Sequence, residues 1–164
     1  MKKQPISDTT SDTSSSNASN PPAFVLPVRI YYEDTDAGGV VYYANYLRYC
    51  ERGRSEWLRE LGFSQKELLD SGGPLFVISK VQADYLASGH LDDSLKVITT
   101  LHDLHGASVW FKQRIMRDNV ILFEAKTKVA CVNPLTGRPT PWPEAVFKQF
   151  QNQLSLSQLS LSIS

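Results

Sequence analysis

Cysteine is nearly missing from this chain: Cys50 and Cys131 are the only two among 164 residues, far apart and in no paired spacing. That excludes a disulfide scaffold and points to a reducing compartment, with both thiols as small core residues. Histidine is almost as scarce, at three, and none lies beside the partners that a metal site or a nucleophile–base pair needs. Neither sign of charge is in excess, with 17 basic and 17 acidic residues, which argues against a nucleic-acid binder or a membrane-surface patch. No apolar run is long enough to span a bilayer, and Lys2-Lys3 is followed by no apolar segment, so no export signal is read and a cytoplasmic protein is expected. Also absent are a Gly-x-Ser-x-Gly elbow, a His-Glu-x-x-His pair, a phosphate-binding Gly-Lys-Ser/Thr loop and a dinucleotide glycine fingerprint. No metal and no cofactor is expected.

What is present suits one domain of ordinary size. Residues 1–22 are mostly Ser, Thr, Asn, Asp and Pro, a composition that cannot offset its ordering entropy by burial, and they are expected to be a disordered tail. Residues 23–150 read as the folded domain and 151–164 as a low-complexity tail of Leu, Ile, Ser and Gln, for which disorder is preferred to an edge strand. After Val28-Arg29-Ile30-Tyr31-Tyr32, a strand-like run, the apolar positions Tyr43, Tyr46, Cys50, Gly53, Trp57 and Leu61 repeat every three or four residues, one face of a helix ended by Gly62. Gly53 is costly inside that helix unless something packs closely there. The helix charges read as surface pairs such as Arg52 with Glu56. Ser64-Gln65-Lys66-Glu67 opens a short second helix.

From Leu75 onward the pattern turns to strands. Phe76 to about Leu86 is the first, followed by the alternations Leu95/Val97/Thr99/Leu101, Val109/Phe111/Gln113/Ile115 and Phe123/Ala125/Thr127/Val129/Cys131. The breaks Ser88-Gly89-His90, His105-Gly106 and Asp118-Asn119 read as hairpin turns. Pro143 to Phe150 is expected to be a short closing helix. About five antiparallel strands curled around one long helix make an α+β domain.

The chemistry concentrates in Glu33-Asp34-Thr35-Asp36-Ala37-Gly38-Gly39-Val40-Val41-Tyr42-Tyr43. Two aspartates and a glycine pair stand just before the helix, where free amides and the helix dipole favour negative charge. An Asp there is either a turn or cap residue or a catalytic carboxylate, and Asp34 and Asp36 have equal claims to capping.

That string, with Tyr49-Cys50-Glu51-Arg52-Gly53-Arg54-Ser55-Glu56 behind it, resembles the 4-hydroxybenzoyl-CoA thioesterase family, most closely its acyl-CoA thioesterases found with the Tol-Pal envelope system. The similarity continues through Phe76-Val77-Ile78, Asp84-Tyr85 and Leu91-Asp92-Asp93 and ends near Phe150. It implies the hotdog fold, an acyl-CoA substrate, and a homodimer or homotetramer with its sites between subunits. It also implies Asp36 as the catalytic carboxylate, nucleophile or general base, and the backbone N–H of Tyr43 as the group that polarises the thioester carbonyl, with Gly39, Val40 and Asn45 binding substrate. Tol-Pal-associated members usually carry His at the Tyr43 position, a change that a backbone role survives. The basic cluster by which the 4-hydroxybenzoyl branch grips CoA has no counterpart at His105-Gly106-Ala107-Ser108, and Lys112, Arg114 and Arg117 read as solvent-facing strand charges. The alternative implied is a scaffold that binds acyl carrier protein with little hydrolysis.

Overall fold

The computed structural model describes residues 23–162, with side chains to residue 158; the expected N-terminal tail, 1–22, lies outside the described residues. The elements are β1 (Phe24–Arg29), α1 (Tyr43–Glu60), α2 (Gln65–Asp70), β2 (Leu75–Tyr85), β3 (Ser94–His105), β4 (Ser108–Arg117), β5 (Val120–Val132) and α3 (Glu144–Ser162). The strands form one antiparallel sheet in the order β1-β3-β4-β5-β2. The inward sets are those that the alternation named: Leu95, Val97, Thr99 and Leu101, then Val109, Phe111, Gln113 and Ile115, then Phe123 to Cys131 by twos, all buried. His105-Gly106 and Asp118-Asn119 do turn between neighbouring strands, Asp118 with φ 52°. Ser88-Gly89-His90 does not close a hairpin, because β2 pairs with β5 and not with β3. That segment is a crossover, and Gly89 uses its carbonyl to receive the N–H of Val41 at 2.9 Å.

α1 lies across the sheet and divides the interior into two apolar clusters. Tyr46, Tyr49 and Cys50 sit with Leu95, Ile115 and Phe123 in one, and Trp57 and Leu58 with Phe111, Cys131, Val146 and Phe150 in the other. Between them stands Gly53, where a Cβ would come within 3.0 Å of Thr99 Oγ1 and of Val97 Cγ1. The close approach expected of that glycine is therefore to the sheet. Gln113, 1% exposed, fills this layer: its Nε2 donates to Cys50 O at 2.8 Å and Thr99 Oγ1 at 2.9 Å, and its Oε1 accepts from Arg54 at 2.7 Å.

Four further sequence expectations are corrected. The first strand is Phe24–Arg29, and Tyr31 and Tyr32 are exposed at the start of a 3-10 turn over Tyr32–Asp34, because the Asp34 carboxylate accepts the Tyr31 N–H at 2.8 Å. Tyr43 is 61% exposed, since the first turn of α1 turns it toward Tyr85 and away from the core. Glu56 pairs with Arg59, while Arg52 lies over the Tyr49 ring. The closing helix does not stop at Phe150: Val146, Phe150 and Leu154, spaced by four, continue one stripe against the second cluster. The serines beyond it are accommodated, with Ser155 and Ser157 donating to the carbonyls of Gln151 and Gln153.

Both cysteines are free and buried, one in each cluster. Burial pushes the Cys50 thiol up to about 12 and the Cys131 thiol up to about 11, so neither is a thiolate near neutrality. Alkylation by iodoacetamide at pH 7.5 is expected to leave both unmodified in the native protein and to modify both in denaturant, as mass spectrometry will show.

Candidate active site

The loop that carries Asp36 is held from both sides by its own backbone. Asp36 N–H donates to Val40 O at 2.9 Å and Gly39 N–H returns to Asp36 O at 3.0 Å. Gly39 closes this turn at φ +74°, a conformation that favours glycine. Thr35 bridges to Val41, and Val40 bridges to His90. Below, the carbonyl of Asp34 receives the N–H of Tyr42 and the Nδ2 of Asn45, each at 2.9 Å. Of the two aspartates, Asp34 is the structural one: its side chain caps the turn and its carbonyl anchors the helix start.

Asp36 is exposed and bound to the loop at one oxygen only. Oδ1 accepts the Gly38 N–H at 2.8 Å, and Oδ2 has no hydrogen-bond partner among the described residues. One carboxylate oxygen orients the group and the other faces outward. The same reckoning sorts the amides from Gly39 to Tyr43. Those of Gly39, Val41 and Tyr42 are occupied by Asp36, Gly89 and Asp34. No side chain caps α1, so the N–H of Tyr43, in the uncapped first turn, is left for another acceptor, as is that of Val40. Asn45 is 4% exposed and its amide is used on Asp34 O and Arg48, which makes it a support of the loop.

Around the helix start stands a set of aromatic rings that sequence reading did not assign to the site. Tyr85, at the end of β2, donates its hydroxyl to the carbonyl of Tyr43 at 3.1 Å, and its ring meets Tyr43 edge-on at 6.4 Å and Phe123 at 4.9 Å. Tyr46 accepts the Gly89 N–H at 2.9 Å on its hydroxyl; burial raises its pKa above the ordinary value. The Tyr49 hydroxyl is buried and makes no hydrogen bond of ordinary geometry among the described residues; burial, and after it the nearby Asp34 carboxylate, raise its pKa. Only the resemblance at Asp84-Tyr85 hinted at this cluster, because the contact joins residues 42 positions apart.

The crossover that receives Val41 is itself clamped. Asp93 accepts from Arg117 at 2.7 Å and from the His90 N–H at 2.8 Å, and Arg117 also donates to Ser88 O at 3.2 Å. Burial works against the charged form of Asp93, but the Arg117 hydrogen bond, the His90 N–H and the charges of Arg117 and His90 outweigh it, and the carboxyl is held below its ordinary range. A depressed folded-state value adds stability above the unfolded pKa and loses it as pH falls through the folded one. The unfolding free-energy difference between wild type and Asp93→Asn is therefore expected to be constant from pH 7 to about 5 and to shrink below about pH 4. Urea titrations at each pH check this.

A cavity of about 130 Å³ opens farther along α1, among Leu58, Phe76, Val109, Phe111 and Phe150, with Glu51 and Arg54 on its polar side. Its first α1 residue is eight positions past Tyr43, about 12 Å along the helix axis, so it is not the pocket of the Asp36 loop itself. Among the described residues no three His, Cys, Asp or Glu side chains cluster as metal ligands.

A five-stranded antiparallel sheet in the order β1-β3-β4-β5-β2 around one long helix, with an Asp-bearing loop at the helix start, is the hotdog fold of thioester-cleaving enzymes. The model of the Thioesterase-like superfamily matches residues 31–150, and the chain belongs to that family, among its YbgC-type members. It is 45% identical to the acyl-CoA thioesterase YbgC of Haemophilus influenzae over 129 residues, 79% of this chain and 95% of that one. To the acyl-CoA thioester hydrolase YbgC of Escherichia coli it is 43% identical over 133 residues, 80% of this chain and 98% of that one. The crystal structure of a probable thioesterase from Bartonella henselae superposes with a TM-score of 0.70 at 33% identity, over 74% of this chain and all of that one.

Proposed function

We propose that this protein hydrolyses acyl-CoA thioesters to the free acid and CoA, with Asp36 as the essential carboxylate. The observation that carries the reading is the Asp36 side chain itself, exposed, oriented through Oδ1 by Gly38, and set in the loop that leads into an uncapped helix start. A thioester carbonyl is a good electrophile and a thiolate a good leaving group, so a positioned oxygen and a donor for the developing oxyanion suffice. Asp36 Oδ2 either attacks the carbonyl carbon, expelling CoA thiolate and leaving a mixed anhydride that water then hydrolyses, or takes a proton from a water that attacks the carbonyl and expels the thiolate. The Tyr43 N–H receives the carbonyl oxygen. Gly39 and Val40 bring the backbone up to the acyl group, and Asn45 fixes the loop from below. None of these steps uses the Tyr43 side chain, so the absence of an imidazole there leaves the scheme intact.

The working unit is a homodimer, or a homotetramer built from it. β2 is an edge strand of the sheet, and Val77, Ile78, Val81, Tyr85 and Leu86 on and beside it are exposed. An unpaired apolar edge of this kind is stabilised by pairing with another copy. No helix among the described residues is long and apolar enough to cross a membrane. A cytoplasmic location belongs to the proposal on the ground of its substrate, because CoA thioesters are made there. The test is free-thiol release from short, long and aromatic acyl-CoAs, with light scattering on the same sample. Turnover of part of the panel by a dimer or larger species is expected; an inert dimer would sink the reading.

A further inference from the structure

The crossover from β2 to β3, residues 86–93, is the bed on which the Asp36 loop lies. At the loop's entry Ile30 N–H donates to Asp93 O, and Asp92 N–H donates to Ile30 O, each at 3.0 Å. At its exit Val41 N–H donates to Gly89 O at 2.9 Å, and Val40 bridges to His90. The two segments are in close contact, since a Cβ at Gly89 would come within 3.1 Å of Val41 Cγ2. The crossover is tied down in turn. Its first residues, Leu86 and Ala87, donate to Leu122 O of β5 at 2.9 and 3.1 Å. Its middle, residues 88–90, is reached by Arg117 from the end of β4, a residue that the sequence presents as a solvent-facing strand charge. Arg117 Nη1 donates to Asp93 Oδ2 at 2.7 Å and to Ser88 O at 3.2 Å, and lies 3.4 Å from His90 Nδ1. The same Asp93 Oδ2 accepts the His90 N–H at 2.8 Å. One guanidinium nitrogen therefore joins both sides of the turn that receives the loop's exit, in a pair whose side chains are 31% and 21% exposed.

We infer that Arg117 is a positioning residue for the reaction, an inference that rests on the proposed role of Asp36. Through Asp93 and the backbone of residues 88–90 it sets where Val40 and Val41 lie. Asp36 follows them, because its N–H donates to Val40 O at 2.9 Å, and the Tyr43 N–H stands two residues beyond Val41. A displacement of about 1 Å between reacting groups can cost about 10²-fold in rate. Ground-state binding does not depend on that alignment, so the loss falls on kcat and spares KM. A partly buried ion pair that only adds stability would lower neither constant in the folded enzyme. All the Arg117 contacts run through one nitrogen, so the ammonium of a lysine can take its place.

The test measures kcat and KM for acyl-CoA on full-length wild type, Arg117→Met, Arg117→Lys, Arg114→Met and Asp36→Asn, below every melting transition. Arg114→Met is the control, since it removes the Arg114 pair with Glu124 from the same strand without touching the crossover. Arg117→Met is expected to lower kcat by about tenfold or more with KM within about twofold. Arg117→Lys is expected to recover most of that loss, and Arg114→Met to match wild type. Hydrogen exchange read by mass spectrometry adds a measurement without substrate: in Arg117→Met the peptide spanning 34–42 exchanges faster, while β4 and β5 keep their wild-type rates. Should Arg117→Met fail to fold, Asp93→Asn removes the same ion pair and is held to the same kcat, KM and exchange results. With Asp36→Asn inert, an Arg117→Met kcat equal to wild type, a loss that lysine does not recover, or faster exchange throughout the sheet each overturns the inference and leaves the Asp36 reading standing. Wild-type turnover by Asp36→Asn, or no turnover by wild type, overturns that reading and the inference with it.

Discussion

Gly53→Leu is expected to cost about 4 kcal/mol or more of folding stability, a large part of the roughly 5–15 kcal/mol that holds a domain of this kind. A Cβ at Gly53 already meets Thr99 and Val97 at 3.0 Å and Gln113 Nε2 at 3.2 Å, so a longer side chain must lift α1 from the sheet. Overpacking alone costs about 1–3 kcal/mol. Parting helix from sheet also breaks the Gln113 bonds to Cys50 O and Arg54, and each buried polar group left unpaired adds about 1–3 kcal/mol. Gly53→Ala separates the two contributions: it gains about 1 kcal/mol of helix propensity against a smaller clash, so its net change is expected to be within about 1 kcal/mol. Urea unfolding of both variants measures the difference. Leucine tolerated as well as alanine would mean that α1 does not rest on the sheet as described.

Asp36→Asn is expected to lower kcat/KM for acyl-CoA by about 10²–10⁴-fold, the range for loss of a carboxylate base or nucleophile, or about 3–5 kcal/mol of transition-state stabilisation. Its effect on stability is expected to be within about 0.5 kcal/mol, as for exposed positions in general. An amide oxygen still accepts the Gly38 N–H that Asp36 Oδ1 accepts at 2.8 Å, so the loop keeps its turn. The combination of near-wild-type melting and collapsed activity separates a chemical role from a structural one. Asp34→Asn is a useful contrast: Asp34 caps the turn before the loop, and its loss acts through the position of the loop.

Much of this fold could be read locally, and its arrangement could not. Period-two burial named the inward faces of β3, β4 and β5 residue by residue, because each strand has one covered face. Gly53 announced a close contact by its cost in a helix. Sheet order was out of reach, since the pairing of β2 with β5 joins segments some 40–60 residues apart, and Ser88-Gly89-His90 reads as a hairpin turn wherever it lies. The extension of α3 was legible in the Val146, Phe150, Leu154 spacing, but the surrounding Ser and Gln obscured it.

The site divides in the same way. The Asp-Thr-Asp-Ala-Gly-Gly string marks the loop but gives its two aspartates equal claims to capping; it is the Asp34 carboxylate, accepting the Tyr31 N–H, that caps the turn. Tyr85, Tyr46 with Gly89, and the Asp93–Arg117 clamp reach the loop from other strands and turns. No spacing within one segment encodes such contacts.

The central claim is that one exposed carboxylate in this loop cleaves a thioester. It is tested most directly by free-thiol release from the best acyl-CoA substrate by wild type and Asp36→Asn, side by side and matched in oligomeric size and melting temperature. The account expects measurable turnover by wild type and a drop of at least about 10²-fold in the variant. Equal turnover by two equally folded proteins would contradict it, and would move the chemistry to another group.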